Sequence, residues 1–175
     1  WGSFSMDGRE EEYQWAGPYL HSRQVVAVRS DSDIRTLQDL ADKVVAVQST
    51  TKPEELFLNA EQNGLPRLRR LYSLQNRDLL YTTLLKGYAD ALAAHESAIR
   101  QFMKDYSVEY RILDEPLMTA RLGVAFAKER GDDLPQQLTE VFQEMLADGT
   151  VRQIVSRYLD DPGHYLDGLE DSTHA

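Results

Sequence analysis

Short β-branched runs alternating with amphipathic stretches lay out this chain. The run over 24–28, QVVAV, and the run over 44–47, VVAV, read as strands buried on both faces, since neither alternates with polar residues. The second passes through Ser49, Thr50 and Thr51 into a helical pattern opened by Lys52-Pro53-Glu54-Glu55. Thr51 with Glu54 three positions on has capping-box spacing, and Pro53 suits a first helical turn. Leu56, Phe57 and Ala60 give that helix its inward face; Gly64 and then Pro66 stop it. A strand over 68–72 follows. Asn76 then caps a helix with Leu79, Leu80, Thr83 and Leu84 on one face, ended by Gly87. A small-residue strand over 89–94 leads into a helix over 95–106, with Ile99, Phe102, Met103 and Tyr106 at helical spacing. A strand over 108–113 closes the block.

Residues 43–113 therefore alternate β-α-β-α-β-α-β, which predicts a parallel sheet with helices on both faces. Ahead of this block, 9–14 reads as a short helix, Gly17-Pro18-Tyr19 as a break and 36–40 as a helical turn. Behind it, LGVAFA over 122–127 is a strand like that over 24–28. Asp133 then caps a long helix with Leu134, Leu138, Val141, Phe142, Met145 and Leu146 in a wide apolar stripe, closed by Gly149. Thr150 caps another, with Val151, Ile154, Val155 and Tyr158 inward. From 160 to 175 the chain is rich in Gly, Pro and Asp without periodicity, and reads as a surface tail. Two similar strands bracketing an α/β block predict two lobes crossed twice by the chain: residues 1–28 with 120–159, and residues 29–119. A ligand is expected in the cleft where the C-terminal ends of strands meet.

Composition narrows the partners. With 42% hydrophobic residues among 175, the chain can build a core, and its formal charge of −10 argues against nucleic acid or an anionic membrane. The absence of cysteine excludes a structural disulfide, a thiolate zinc site and a cysteine nucleophile. No apolar run approaches the ~20 residues that span a bilayer. The start at WGSFSMDGR carries no methionine, basic segment or apolar signal, so sequence is expected upstream.

Two readings of 49–51 stand side by side. A strand running through hydroxyl residues into a helix start directs N–H and O–H groups at one point, which suits a carboxylate; the same residues also make an ordinary βα turn with a good cap. Catalysis has little to work with. There is no nucleophile elbow, phosphate-binding glycine loop or metal-ligand spacing, and His21, His164 and His174 are scattered. His95 with Glu96 is the one acid–base pair in view. No cofactor or metal is expected.

Four segments in order resemble a known family: SFSMDGREEEYQWAGPY, DLADKVVAVQSTTKPEE, KGYADALAAHESA and LGVAFAKERGDDLPQQLTEVFQEMLADGTVRQIVSRYL. Over 1–159 the chain resembles the bacterial extracellular solute-binding proteins of family 3, the polar amino-acid receptors of ABC transporters. The resemblance implies an α/β, two-lobed type II periplasmic-binding fold. It also implies that the upstream part of lobe 1, with the aromatic residues that flank the ligand, is missing. An unpaired sheet edge would then be completed by a second copy or an exchanged element. The implied function is an extracytoplasmic receptor, periplasmic or a cell-surface lipoprotein, that closes on a small carboxylate ligand and delivers it to a membrane permease. A sensing ectodomain of a membrane signalling protein and a dehydratase-like enzyme on the same fold are the alternatives.

By the same resemblance, Arg9 falls on the arginine that clamps the ligand carboxylate through two parallel hydrogen bonds; on its own it reads equally as a surface arginine beside Glu10–Glu12. Thr50 and Thr51, with Ser49 before them, fall on the polar pair that holds the carboxylate from the other lobe. Gly2 and Phe4 stand where hydroxyl residues are common, leaving backbone groups to act there. His95 stands where an aspartate takes the α-ammonium. Neutral imidazole accepts one hydrogen bond but carries no charge, so Glu96 is the alternative acceptor. Trp15 and Tyr19 read as packing residues near the crossing, or as cleft aromatics.

Overall fold

The computed structural model describes residues 4–159 and 161–169. The chain forms two compact units: unit 1, from the segments Trp1–Ser22 and Thr119–Ala175, and unit 2, Arg23–Met118. The boundaries lie a few residues from the pattern-based ones, 28/29 and 119/120.

Unit 2 is built on three parallel strands: β3 (Val44–Gln48), β4 (Arg70–Leu74) and β5 (Ala91–His95), in the order β4-β3-β5. Val45 pairs with Leu71 on one side and Ala91 on the other. The second half of β2 (Gln14–Arg29) lies antiparallel to β5, and β6 (Tyr110–Ile112) antiparallel to β2. The sheet is thus mixed rather than wholly parallel, because the crossing strand enters it from the opposite direction. Both faces are covered, as the unbroken apolar runs require. Val25, Ala27, Val44, Ala46 and Leu92 join Leu80 and Leu84 of α2 (Arg77–Leu85) and Ile99 of α3 (Glu96–Tyr106) in one core. Val26, Val28, Val45, Val47, Ala91 and Ala93 join Phe57 of α1 (Lys52–Leu58), and Leu40 from the helical turn Gln38–Leu40, in the other. Neighbouring residues of each strand divide between the two cores, the period of two in a pleated strand.

Several local readings are refined. β4 begins two residues later than the expected 68–72. The predicted face of α2 holds at Leu80 and Leu84, but Leu79 is exposed and Tyr81 buried. Asn76 caps α2 through its side chain, accepting from Asp78 N–H at 2.8 Å, and Gly64 ends the segment after α1 at φ +65°.

Unit 1 contains β1 (Phe4–Ser5), the first half of β2 and β7 (Met118–Phe126), with β1 antiparallel to β7. The predicted helix over 9–14 is a turn and a strand start. Gly8, at φ +78°, turns the chain in the left-handed region that favours glycine, and the side-chain amide of Gln14 is held by the Lys128 and Arg130 carbonyls at 2.8 Å. The expected break at Gly17-Pro18 lies inside β2, which continues through it for 16 residues. Two glycines make this passage possible. A Cβ on Gly123 would sit 2.7 Å from Met6 Sδ and 2.9 Å from the Ala16 carbonyl oxygen; one on Gly17 would sit 3.3 Å from Gly123 Cα. Gly123→Ala is expected to cost about 1–3 kcal/mol by overpacking, read as a lower urea midpoint.

α4 (Leu134–Ala147) and α5 (Thr150–Val155) complete unit 1. Their caps differ from expectation. The Leu134 N–H meets Asp132 Oδ1 rather than Asp133, and Thr150 is the first helical residue, its N–H held by Asp148 Oδ1 at 2.8 Å. The α4 stripe turns only partly inward: Leu146 is buried, while Leu134 and Val141 are exposed. The tail also departs from its reading as surface. α6 (Gly163–Leu166) brings Leu166 and Leu169 into a core with Leu146 and Val151. Those few apolar residues lie among Asp and Gly, which hid their spacing.

Candidate ligand site

The parallel strands of unit 2 all point their C-terminal ends the same way, so the segments that follow them gather along one edge. Val47 is in register with Ala93 and Gln48 with Leu74, and the Ser49 N–H continues the ladder to the Leu74 carbonyl at 2.9 Å. Adjacent strands lie about 4.8 Å apart, which sets Ser49, Gln75 and His95 side by side along this edge. In an open α/β sheet this is where small ligands bind.

The 49–51 loop is more elaborate than a capping box. Thr50 adopts φ +59°, rare for a β-branched residue and costly by about 1–3 kcal/mol. Its N–H thereby faces the carboxylate of Glu54, donating to Oε2 at 2.7 Å, while Ser73 Oγ donates to Oε1. These two bonds, the hydroxyl first, hold the Glu54 carboxyl below the usual range. Thr51 occupies the cap position without a capping bond; its hydroxyl donates to the Gln48 carbonyl at 2.5 Å. The Thr50 hydroxyl donates to the Ser49 carbonyl at 2.6 Å and the Ser49 hydroxyl to the Leu74 carbonyl at 3.4 Å. Each hydroxyl has one proton to give, so holding an incoming carboxylate requires it to rotate away from its carbonyl. Glu54 takes the Thr50 N–H, which leaves the three hydroxyls as the groups that can turn to an incoming carboxylate.

His95 ends β5 and precedes α3, its ring packed beside Gln24 in a part-buried contact. Desolvation of the ring, then the charge of Arg77, pushes its pKa below the ordinary histidine value. The imidazole is therefore neutral at pH 7. Directly across the β2–β5 pair stands Gln24, whose Nε2 lies 3.0 Å from Nδ1 and 2.9 Å from Nε2 of the ring. Glu96 turns the other way and is buried. Arg23 Nη1 lies 3.0 Å from Oε2, and Arg100 Nη2 lies 2.6 Å from Oε1. Its carboxylate is engaged with two guanidinium groups. Taking a ligand ammonium, or acting as an acid or base, would mean giving these up.

In unit 1, Arg9 lies on a turn over 6–12. Its N–H bonds the Met6 carbonyl, and its own carbonyl accepts from Glu12 N–H and from Trp15 Nε1 at 3.2 Å. The Arg9 side chain is exposed. Arg121 on β7 grips the turn on both sides, at Asp7 Oδ1 (2.7 Å) and Glu10 Oε1 (3.1 Å). Trp15 thus closes the Arg9 turn, and Tyr19 packs on Phe142 of α4, ring centroids 5.1 Å apart. The Phe4 backbone pairs with Gly123, and Gly2 lies outside the described residues.

Gln24, Arg77 and Arg121 were not singled out from sequence. Gln24 is the one polar residue at the head of an apolar run, a signal available but unused; the other two are fixed by register and packing alone. Among the described residues, no group of three His, Asp or Glu is placed to hold a metal, and no helix is long and apolar enough to cross a membrane.

The family described as bacterial extracellular solute-binding proteins, family 3, matches residues 2–161. The chain is 31% identical over 161 residues to the histidine-binding periplasmic protein of Escherichia coli (strain K12), and 32% identical to that of Salmonella typhimurium (strain LT2). Each alignment takes in 87% of this chain and 60% of the relative, so the chain spans about 60% of their length. Among solved structures, it resembles the probable amino-acid ABC transporter extracellular-binding protein ytmK of Bacillus subtilis. The TM-score is 0.74 at 24% identity, over 89% of this chain and 67% of that one. The fold is that of type II periplasmic-binding proteins. A partial one by length, the chain belongs to the bacterial extracellular solute-binding proteins, family 3.

Proposed function

We propose that this chain is the ligand-recognising part of an extracytoplasmic receptor that takes an amino acid or a related small carboxylate and hands it to a membrane ABC transporter permease. The observation that carries this reading is the 49–51 loop, a hydroxyl-rich strand-to-helix turn on which the carboxylate of Glu54 already rests. Turned away from their backbone carbonyls, the Ser49, Thr50 and Thr51 hydroxyls would hold a ligand carboxylate beside it. Arg9 supplies the bidentate guanidinium, with Gly2 and Phe4 contributing backbone groups. His95 meets the ligand's second polar group, with Glu96, held by Arg23 and Arg100, as the alternative acceptor. The work is binding. No reaction is required, only a difference in affinity between conformations.

Arg9→Ala tests the assignment. Losing hydrogen bonds to a charged group, about 1.5–3 kcal/mol, lowers carboxylate affinity by about 10- to 100-fold. Arg9→Lys restores only part, since an ammonium does not reproduce the fork. Unchanged affinity in Arg9→Ala removes Arg9 from the site. Completion of the unit 1 sheet edge by a second copy or an exchanged element belongs to the same reading; a purely monomeric mass by light scattering removes it.

A further inference from the structure

At the His95 position the recognition groups are neutral, and one buried oxygen of Gln24 is unpaired among the described residues. Gln24 is 8% exposed, sits in register with His95 and keeps its amide nitrogen within 3.0 Å of the ring. Its Oε1 is buried and has no hydrogen-bond partner among the described residues. A buried amide carbonyl left unpaired is unfavourable, and a ligand donor would relieve it.

The fixed charges nearby do not favour a cation. Arg77 is close enough to depress the imidazole. Glu96, the carboxylate next along the chain, sits between Arg23 and Arg100 and already serves both. An ammonium at His95 would meet like charge, with the adjoining carboxylate already engaged. A hydroxyl fits better. It donates its proton to the Gln24 carbonyl, and its lone pairs accept from the imidazole N–H.

We propose that Gln24 and His95 form a neutral recognition pair that takes a hydroxyl where an α-ammonium would otherwise bind, so that the chain prefers 2-hydroxycarboxylates to 2-amino acids of the same shape. The inference rests on the carboxylate-binding reading above and deepens it. Gln24 enters as a specificity residue.

The test is calorimetric titration of the full 175-residue chain with matched pairs: L-lactate and L-alanine, L-malate and L-aspartate, imidazole-lactate and L-histidine. At least one hydroxy acid is expected to bind at least about tenfold more tightly than its amino partner. His95→Asp, at a helix start where aspartate is well tolerated, is expected to reverse that order. Gln24→Ala is expected to weaken hydroxy acids more than amino acids, so that the ratio between the two falls. An amino acid bound more tightly than its hydroxy partner by the unaltered chain overturns the inference but leaves the carboxylate reading standing. So does a hydroxy-acid preference that survives both substitutions. Failure of the unaltered chain and of His95→Asp to bind either class overturns both.

Discussion

Glu96→Ala is expected to cost about 3–5 kcal/mol of stability, because it strands two arginines around an empty buried space. Glu96 is 1% exposed and sits between Arg23, whose side chain is 12% exposed, and Arg100, which is 34% exposed. Arg100 can turn to water. Arg23 is more confined, and it also donates to the Asp114 carbonyl at 3.2 Å, tying β2 to the chain that leaves β6. Most of the loss is therefore assigned to Arg23. Urea denaturation would show it as a midpoint lowered by on the order of 1–2 M. Glu96→Gln, which keeps shape and some hydrogen bonding, is expected to lose less. Replacing Arg23, Glu96 and Arg100 together by apolar residues of similar volume is expected to recover most of the loss, because no charge is then left unpaired. Similar instability in the triple replacement and in Glu96→Ala would mean that the cluster acts through packing rather than charge.

Leu92→Ala carries the second large effect. Leu92 is fully buried at the centre of β5, and its register partners are Ala27 on β2 and Ala46 on β3. Both immediate partners in that row are alanines, and the larger Ile112 and Tyr72 stand one strand further out on either side. Its small neighbours cannot extend into the space it leaves, so the cavity persists and the cost falls in the upper part of the 2–5 kcal/mol range for leucine truncation. Val47→Ala, where Leu40 and Phe57 share the core, removes fewer atoms and is expected to cost less. Equal losses at the two positions would show that the alanine row collapses, contrary to this account.

The strands and most helices of unit 2 were legible because local signals agree. Unbroken valine runs mark β2 and β3, Asn76 caps α2, and Gly64 takes the left-handed turn that ends its segment. What escaped was non-local. Hydrophobic periodicity says which face of a strand is buried, but not which strand lies beside it. The antiparallel entry of β2, the placement of Gln24 opposite His95 and the grip of Arg121 on the Arg9 turn all join residues 63 to 114 positions apart. Local chemistry also misled at Gly17-Pro18, where a turn signal lies within a strand because Gly123 gives it room. At Thr51 the capping-box spacing is present, yet the left-handed Thr50 moves Glu54's contact back by one residue.

The central claim is that the chain recognises a ligand through its carboxylate. The most direct measurement is calorimetric titration of the unaltered chain with small carboxylates, each beside the carboxamide that keeps its shape but not its charge. The account predicts saturable binding of at least one carboxylate and loss of that binding when it is converted to the amide. Equal affinity for acid and amide would contradict it, because neither the guanidinium of Arg9 nor the hydroxyl loop at 49–51 would then be reading the anion.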